Sequence, residues 1–439
     1  MLTKKLSAIV LCAPGLIVLP TQAQVTSPST TPCPANITSI ATCQSARLPT
    51  GAYVLTAMPK NWNGDLIVFA HGGPHIVPPT ATTSMTDLEK YAVSVKMGFA
   101  WIASSYRRDG YGVRMAADDT DDARQFFIER IAKPKRTILH GASYGGLVGA
   151  KLLETHAQHY AGAMFNSGAM GGALPNYEFR ADLRVVSQYY CKNLPRTSEP
   201  QYPLWMGLPA DSKMTLKEIT SRVDECTGVA QPAAQRTEQQ KQNLANILGV
   251  MRFPENMLVR HMQGATYVLR ELAHFTNASK GGVYSNRHVQ YRGSSDDSAL
   301  NRDVERFDAD PAALAKLTAD GQPTGAAPVP VLSIHSFNDP QAAVEAQYEY
   351  RNAVQKAGHG ARLAQAYTDE PAHTAQTWAE LAAAIDALMQ WVDKGVKPTP
   401  QSIAASCEKL RSNYEGPCRY HPAYEPKPYA TRYARSAVR

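Results

Sequence analysis

The stretch 137–146, Thr-Ile-Leu-His-Gly-Ala-Ser-Tyr-Gly-Gly, decides the fold that this sequence predicts. Its first four residues are typical of a buried strand, and a helical pattern runs from Gly146 to about His156. Between the two lies the pattern Gly-x-Ser-x-Gly, centred on Ser143. A sharp turn from strand to helix requires small residues on both sides of the serine and raises its hydroxyl above the sheet. The motif in this context indicates that Ser143 is a nucleophile.

Strand-like and helix-like segments alternate on both sides of this turn. Strands are predicted at 66–70, 99–104 and 162–166 before a long interruption, and at 329–335 and 362–368 after it. Such alternation is typical of an α/β protein, here a doubly wound and mostly parallel sheet covered by helices. One covering helix is expected at 85–97, with Ser84 and Asp87 in the spacing of a capping box.

The interruption spans residues 169–325 and contains helical and loop patterns but no clear strand. It predicts a largely helical lid inserted into one α/β core. The predicted core then consists of 61–168 and 326–400, preceded by an N-terminal extension at 24–60 and followed by a C-terminal tail at 401–439.

The first 23 residues differ from the rest and predict a signal peptide. Lys4 and Lys5 precede an apolar run that Pro14 and Gly15 interrupt, and small residues lead to a cleavage site near Ala23. The run is too short to span a membrane, and no later segment is apolar and long enough. We therefore expect a secreted or periplasmic protein without stable membrane insertion.

Six cysteines remain after removal of that segment, and they form three pairs close in sequence. We expect disulfides Cys33–Cys43, Cys191–Cys226 and Cys407–Cys418, although six cysteines allow fifteen pairings. None of the spacings resembles a zinc or redox site, and the sequence implies no metal and no cofactor.

The formal net charge of the 439 residues is +7, and much of the excess lies after Cys407. The basic tail is either a polyanion-binding arm or a solvated one. The solvated arm is favoured, because acidic residues interrupt the basic ones and no stacking platform accompanies them. We expect no nucleic-acid partner, and the sequence leaves the oligomeric state open.

A serine nucleophile requires a base that an acid orients. Asp339 follows the strand predicted at 329–335, and His373 follows the last strand, so the order is serine, acid, histidine. Asp339 is also placed to cap the next helix. The alternative acid, Asp369, lies close to His373 in sequence. His335 is interpreted as a core residue within its strand.

An oxyanion requires hydrogen-bond donors. The backbone N–H of Tyr144 is one candidate, and the loop His71-Gly72-Gly73 supplies the other, with Gly73 favoured over Gly72. The lid is rich in aromatic residues that either pack its own helices or line a pocket. As substrate-binding candidates the sequence offers Trp205 in the lid, together with Tyr106 and Arg107 after the second core strand. For Arg107 and its neighbour Arg108, solvated surface charge is the stronger interpretation.

Together the motifs at 71–74 and 141–146, with Asp339 and His373, resemble the α/β-hydrolase superfamily. The two motifs are similar to those of prolyl-oligopeptidase catalytic domains. The stretches 61–65, Asn-Trp-Asn-Gly-Asp, and 391–395, Trp-Val-Asp-Lys-Gly, resemble secreted esterases of the tannase and feruloyl esterase group. The sequence lacks a propeller-forming segment, and Ala142 stands where tannase-like enzymes usually have cysteine.

The resemblance implies a secreted serine hydrolase that cleaves carboxylic esters through an acyl-enzyme. The expected substrate is a small-molecule or oligomeric ester with an acyl or aryl group under the lid. One alternative is a serine peptidase similar to prolyl aminopeptidases, which needs a carboxylate, such as Glu178 or Glu271, for the substrate amine. A second alternative is a non-catalytic binding protein on the same fold.

Overall fold

A computed structural model describes residues 26–74 and 77–431. The predicted signal peptide and its cleavage site lie outside the described residues, as do the last eight residues of the tail. Within the described part of the chain, no helix has the length and apolar character needed to cross a membrane.

The centre of the fold is a nine-stranded sheet with the order β1-β2-β3-β5-β4-β6-β7-β8-β9. Six adjacent strands, β5, β4, β6, β7, β8 and β9, are parallel to one another. At one edge β1 pairs antiparallel with β2, β2 with β3, and β3 with β5. Their bounds are β1 Ser29–Thr31, β2 Ala41–Arg47, β3 Tyr53–Pro59, β4 Asp65–Ala70, β5 Ala100–Ser104, β6 Arg136–Ala142, β7 Gly162–Asn166, β8 Val331–Ser336 and β9 Leu363–Thr368.

Helices cover both faces of this sheet, which confirms the predicted doubly wound α/β class. One apolar core lies between the sheet and α1, α2, α12 and α13, and the other between the sheet and α3, α4 and α11. These helices are α1 Met85–Lys90, α2 Val93–Lys96, α3 Val113–Arg130, α4 Tyr144–His156, α11 Glu345–Lys356, α12 Trp378–Lys394 and α13 Pro400–Leu410. The parallel strands β4, β5, β6, β7 and β8 are buried almost throughout, as expected for strands covered on two faces.

The segment between β7 and β8 is helical, and no strand longer than an isolated bridge occurs in it. Its helices are α5 Ala173–Cys191, α6 Leu216–Thr227, α7 Glu238–Met251, α8 Leu258–Thr276, α9 Asp297–Asp303 and α10 Pro311–Gly321. The helices α5 and α8 pack together, and α10 joins this insertion to α3 and α4. The apolar side chains of the insertion and of the α3–α4 face thus form one continuous core.

The three predicted disulfides are confirmed. Cys33–Cys43 ties the segment that follows β1 to β2, Cys191–Cys226 joins the ends of α5 and α6, and Cys407–Cys418 ties α13 to the chain that follows it. The Cα atoms of each pair lie 5.3 to 5.9 Å apart, within the usual range for disulfides.

Several local details differ from the sequence-based expectations. The expected helix at 85–97 is two short helices, α1 and α2, and the Ser84 side chain makes no capping bond. The Asp87 carboxylate binds the His71 ring instead. The N-terminal extension, for which no strand was predicted, supplies β1, β2 and β3. Tertiary pairing at the sheet edge outweighs weak local signals there.

The C-terminal segment packs on the core up to the last described residues. The chain after α13 donates a backbone hydrogen bond from His421 to Tyr367 of β9, and Tyr420 donates its hydroxyl proton to the Glu380 carbonyl. Tyr429 donates its hydroxyl to the carbonyl of Pro175 at the start of the insertion. The described part of the basic tail therefore packs on the core, and the arginines beyond residue 431 lie outside the described residues.

Candidate active site

The turn between β6 and α4 holds Ser143 in a left-handed backbone conformation, with φ 57° and ψ −122°. The glycines on either side make this turn possible. A Cβ atom on Gly141 would lie 2.3 Å from the Gly145 carbonyl oxygen, and one on Gly145 would lie 1.9 Å from the carbonyl oxygen of Ala70. The tight strand-to-helix turn predicted from the sequence therefore requires both glycines, and it presents Ser143 at the carboxyl end of the parallel sheet.

Two loops from neighbouring strands bring Asp339 and His373 to this serine. His373 Nε2 lies 2.7 Å from Ser143 Oγ, and His373 Nδ1 lies 2.7 Å from Asp339 Oδ2. Ser143 and His373 are 230 positions apart in the sequence, and Asp339 and His373 are 34 positions apart. The parallel strands bring all three to one edge of the sheet. The arrangement has the geometry of a nucleophile, a base and an orienting acid.

The Asp339 carboxylate is buried and remains ionised. Burial alone raises its pKa, but His373 and the backbone N–H of Ala342 outweigh burial, and the net pKa of Asp339 is lowered. Its Oδ1 accepts hydrogen bonds from the backbone N–H groups of Gln341 and Ala342, each at 2.9 Å. Asp339 therefore shapes its own loop while its other oxygen faces the histidine.

Neither the other histidine nor the other acid weighed from the sequence contacts Ser143, although His335 Nε2 lies 3.7 Å from Asp339 Oδ2. His335 is fully buried in β8, where its Nε2 lies 3.0 Å from the Ala342 carbonyl oxygen and burial lowers its pKa. Asp369 lies beside His421, with 2.8 Å between Oδ2 and Nε2. Neither contact involves Ser143.

The loop after β4 lies against the serine turn. A Cβ atom on Gly72 would lie 3.7 Å from Ser143 Cβ, so the Gly72 backbone is next to Ser143. Gly73 and Tyr144 line the same cavity as Ser143. Two contacts of His71 fix this loop. The His71 ring binds the Asp87 carboxylate, and the His71 carbonyl accepts a hydrogen bond from the Tyr106 hydroxyl at 2.8 Å.

The cavity at Ser143 has a volume of about 160 Å³, and the insertion forms one of its walls. Helix α5 contributes Asn176, Tyr177 and Arg180, and helix α8 contributes a further set of residues. The lining residues from α8 are Arg260, Gln263, Gly264, Tyr267 and Val268. No carboxylate occurs among the described residues that line this cavity.

The three substrate-binding candidates taken from the sequence do not line this cavity. Tyr106 is buried behind the loop at 71–74, with its hydroxyl on the His71 carbonyl. Arg107 faces α3, where its Nε donates to Asp119 at 2.8 Å. Trp205 packs in the insertion beside Gly282.

The arginines at the cavity are Arg180 and Arg260, which the sequence analysis did not single out. Nothing in the local pattern distinguishes Arg180 from the other charged residues of its helix. Its position depends on how α5 packs against α8, and that packing is a tertiary property.

No family model and no curated protein matches the sequence. Among solved structures, the chain is similar to an esterase from Aspergillus oryzae, with 13% identity, 82% of this chain and 81% of that chain covered, and a TM-score of 0.44.

Two further solved structures show the same level of similarity. Feruloyl esterase B from Aspergillus oryzae is 13% identical, with 86% and 88% of the two chains covered and a TM-score of 0.43. The rice cell wall degrading esterase LipA from Xanthomonas oryzae, in a ligand-bound form, is 12% identical, with 85% and 98% covered and a TM-score of 0.41.

The chain's own topology defines its class. A mostly parallel sheet with antiparallel strands at one edge, helices on both faces and a serine in a strand-to-helix turn constitute the α/β-hydrolase fold. The fold predicted from the sequence, including the helical insertion, is confirmed.

Proposed function

We propose that this protein is an exported serine hydrolase that cleaves carboxylic esters. The observation that carries the proposal is the pair of 2.7 Å contacts that link Ser143 to His373 and His373 to Asp339. Hydrogen-bond distances between nucleophile, base and orienting acid are the signature of covalent acyl transfer.

The proposed reaction uses each of these groups in turn. His373 Nε2 accepts the proton of Ser143 as the serine oxygen attacks the ester carbonyl, and the ionised Asp339 stabilises the imidazolium that forms. The imidazolium then protonates the leaving alkoxide, and an acyl-enzyme results. Water attacks the acyl-enzyme with His373 again as base, which releases the carboxylic acid and regenerates Ser143.

The oxyanion of each tetrahedral intermediate requires backbone donors. We propose the N–H of Tyr144 as one donor, because Tyr144 opens α4 directly after the serine and the helix dipole favours negative charge there. The loop at 72–73 supplies the other, with Gly73 favoured because it lines the cavity and Gly72 as the neighbouring alternative. One such donor is worth about 3 to 4 kcal/mol of barrier.

The chemistry of the cavity favours an ester substrate over the amine-bearing substrate of an aminopeptidase. A substrate ammonium taken out of water needs a carboxylate partner. The described lining residues include Arg180 and Arg260 but no acid. Of the acids that the peptidase alternative requires, Glu178 is absent from this lining, and Glu271 lies beside Gly110 and Arg270.

Export is part of the proposal and rests on the N-terminal sequence and the three disulfides, which persist in oxidising compartments. We expect a mature chain that begins near Gln24 and has no free thiol. N-terminal sequencing and intact-mass measurement test this, since reduction of three bridges adds about six mass units. A thiol that reacts in the folded, secreted protein would contradict the disulfide set.

The activity is tested with purified protein on paired substrates. We expect p-nitrophenyl or other aryl carboxylate esters to be hydrolysed at least about a hundredfold more efficiently, by kcat/KM, than prolyl and alanyl p-nitroanilides. A fluorophosphonate probe should label the wild type and not Ser143→Ala, with Ser212→Ala, a surface variant, as the labelled control.

The outcomes separate the three candidate functions. Anilide turnover comparable to that of the esters would establish the peptidase alternative, and Glu178 would be the first residue to mutate. Absence of both labelling and turnover in folded protein would leave the non-catalytic binding function.

A further inference from the structure

Arg180 differs from most other partly buried arginines of this protein, because no carboxylate pairs with it among the residues that the structure describes. Arg107, Arg124, Arg136 and Arg222 each lie within 2.7 Å of an Asp or Glu oxygen. An arginine carries its charge at any physiological pH. A charge that is removed from water without a counter-ion is costly, so its retention beside the nucleophile requires an explanation.

The Arg180 guanidinium is only partly satisfied by its surroundings. Its Nη1 donates to the Asn176 carbonyl at 2.7 Å, while its Nε is buried and has no hydrogen-bond partner. Its Cζ lies 4.9 Å from the ring centres of both Tyr177 and Phe179, which hold the planar group by cation–π contacts. The group is therefore held in a fixed position with its Nε donor unsatisfied.

Helix α8 is adapted to this arginine. A Cβ atom on Gly264 would lie 2.6 Å from Arg180 Nε, so the absence of a side chain at position 264 lets the guanidinium lie against the helix. Arg260 lies one turn before Gly264 on the same helix and lines the same cavity as Ser143 and Arg180. Two arginines thus face a cavity whose described lining contains no negative charge.

We propose that Arg180, assisted by Arg260 at the more exposed side of the cavity, binds an anionic group on the substrate. The substrate class is then an ester that carries a carboxylate, or a similar oxyanion, away from the scissile bond. A guanidinium recognises such a group through two parallel N–H···O bonds. This inference rests on the proposed ester hydrolysis and specifies its substrate.

The central experiment compares isosteric esters that differ only in charge. Para-acetoxybenzoate and para-acetoxybenzamide place the charge on the alcohol side, and monomethyl adipate and methyl adipamate place it on the acyl side. We expect wild-type protein to hydrolyse one of the two anionic esters with kcat/KM at least about tenfold above its neutral counterpart. The excess should fall as ionic strength rises, since salt screens the attraction.

The variant Arg180→Gln should remove this preference, so that the ratio of kcat/KM for the anionic ester to kcat/KM for its neutral counterpart falls to near one. Arg180→Lys should restore part of the preference, because it returns the charge without the planar fork. Arg260→Gln should reduce the preference less, since Arg260 is exposed. Arg287→Gln is the matched control, because Arg287 pairs with Asp308 on the surface of the insertion and should leave the preference unchanged.

A second measurement covers the case in which Arg180→Gln does not fold. Gly264→Ala keeps Arg180 but brings a methyl group into the space of its Nε, and it should lower the ratio of kcat/KM for the anionic ester to kcat/KM for its neutral counterpart. Binding of para-hydroxybenzoate and adipate to Ser143→Ala, measured by calorimetry, reports on the anion contact without catalysis.

The outcomes distinguish this inference from the proposed function. Equal hydrolysis of charged and neutral esters, with Arg180→Gln lowering both alike, would overturn the anion site and leave ester hydrolysis intact. Absence of hydrolysis for all four esters, together with no fluorophosphonate labelling, would overturn the proposed function itself.

Discussion

The sheet and the helical insertion contribute to the candidate site in different ways. The sheet presents Ser143, Asp339 and His373 from loops at the carboxyl ends of β6, β8 and β9, and each loop follows directly from a strand. The insertion presents Arg180 and Arg260 from the middle and beginning of long helices that pack on each other. The proposed catalytic residues follow local motifs, whereas the proposed substrate-binding wall depends on helix packing.

The largest expected effect lies on the sheet side of this comparison. Ser143→Ala should leave the fold intact and lower kcat for ester hydrolysis by about 10³-fold or more, because only binding and the oxyanion donors remain. Asp339→Asn should also lower kcat by orders of magnitude, since an amide does not hold the imidazolium. Steady-state kinetics with circular dichroism as a fold control measures both. Near-normal turnover by Ser143→Ala would refute the assignment of the nucleophile.

Removal of the disulfide Cys191–Cys226 tests whether the cavity wall formed by the insertion can be disturbed without disturbing the proposed triad. It closes a segment with a sequence separation of 35 within the insertion, and its removal by the double change to serine should cost about 3 to 4 kcal/mol. We expect KM for esters to rise more than kcat falls, because α5 carries the wall and not the triad. Denaturant unfolding and kinetics measure the two effects, with the shorter Cys33–Cys43 loop, separation 10, as the comparison.

A buried carboxyl pair on the sheet side should make stability depend on pH. Glu370 follows β9 and Glu380 lies in the first turn of α12, and both are fully buried. Burial, followed by the neighbouring Glu370, raises the pKa of Glu380 well above its ordinary value of 4.5. The folded state therefore binds more protons than the unfolded state above that value, and the free energy of unfolding should fall as pH rises towards the raised pKa.

The slope from this pair should approach about 1.4 kcal/mol per pH unit for one proton. Glu370→Gln removes the neighbouring charge and should make the slope shallower. Urea unfolding at a series of pH values provides the measurement, with Glu408→Gln on the exposed side of α13 as the control. An unchanged slope in Glu370→Gln would exclude the pair as its source.

The smallest expected effect concerns the hydrogen bond from Tyr106 to the loop at 71–74, which is proposed to supply an oxyanion donor. Tyr106→Phe removes the hydrogen bond from the hydroxyl to the His71 carbonyl, which is worth about 1 kcal/mol. We expect a fewfold decrease in kcat with little change in KM, because the loop at 72–73 positions a donor and the tyrosine does not line the cavity. A rise in KM alone, at constant kcat, would instead place Tyr106 in substrate binding.

The order of the motifs along the chain predicted the relation between Ser143, Asp339 and His373 because strand order in this fold is strongly constrained. Elsewhere, local patterns misled. The spacing of Ser84 and Asp87 predicted a helix cap, but Asp87 binds the His71 ring on another loop. The stretch 53–59 gave no strand prediction, although it lies between β2 and β5 in the sheet.

The sequence by itself determined the α/β class, the serine turn, the disulfide pairs and the triad candidates, because each depends on nearby residues or on fixed chain order. Only the tertiary structure decided which arginines reach the cavity. Arg107 was the candidate, yet it is neutralised by Asp119 of α3. Arg180 has no carboxylate partner among the described residues, and its Nε lies against Gly264 of α8. The availability of a charge depends on what packs against it, and that is fixed only when distant helices meet.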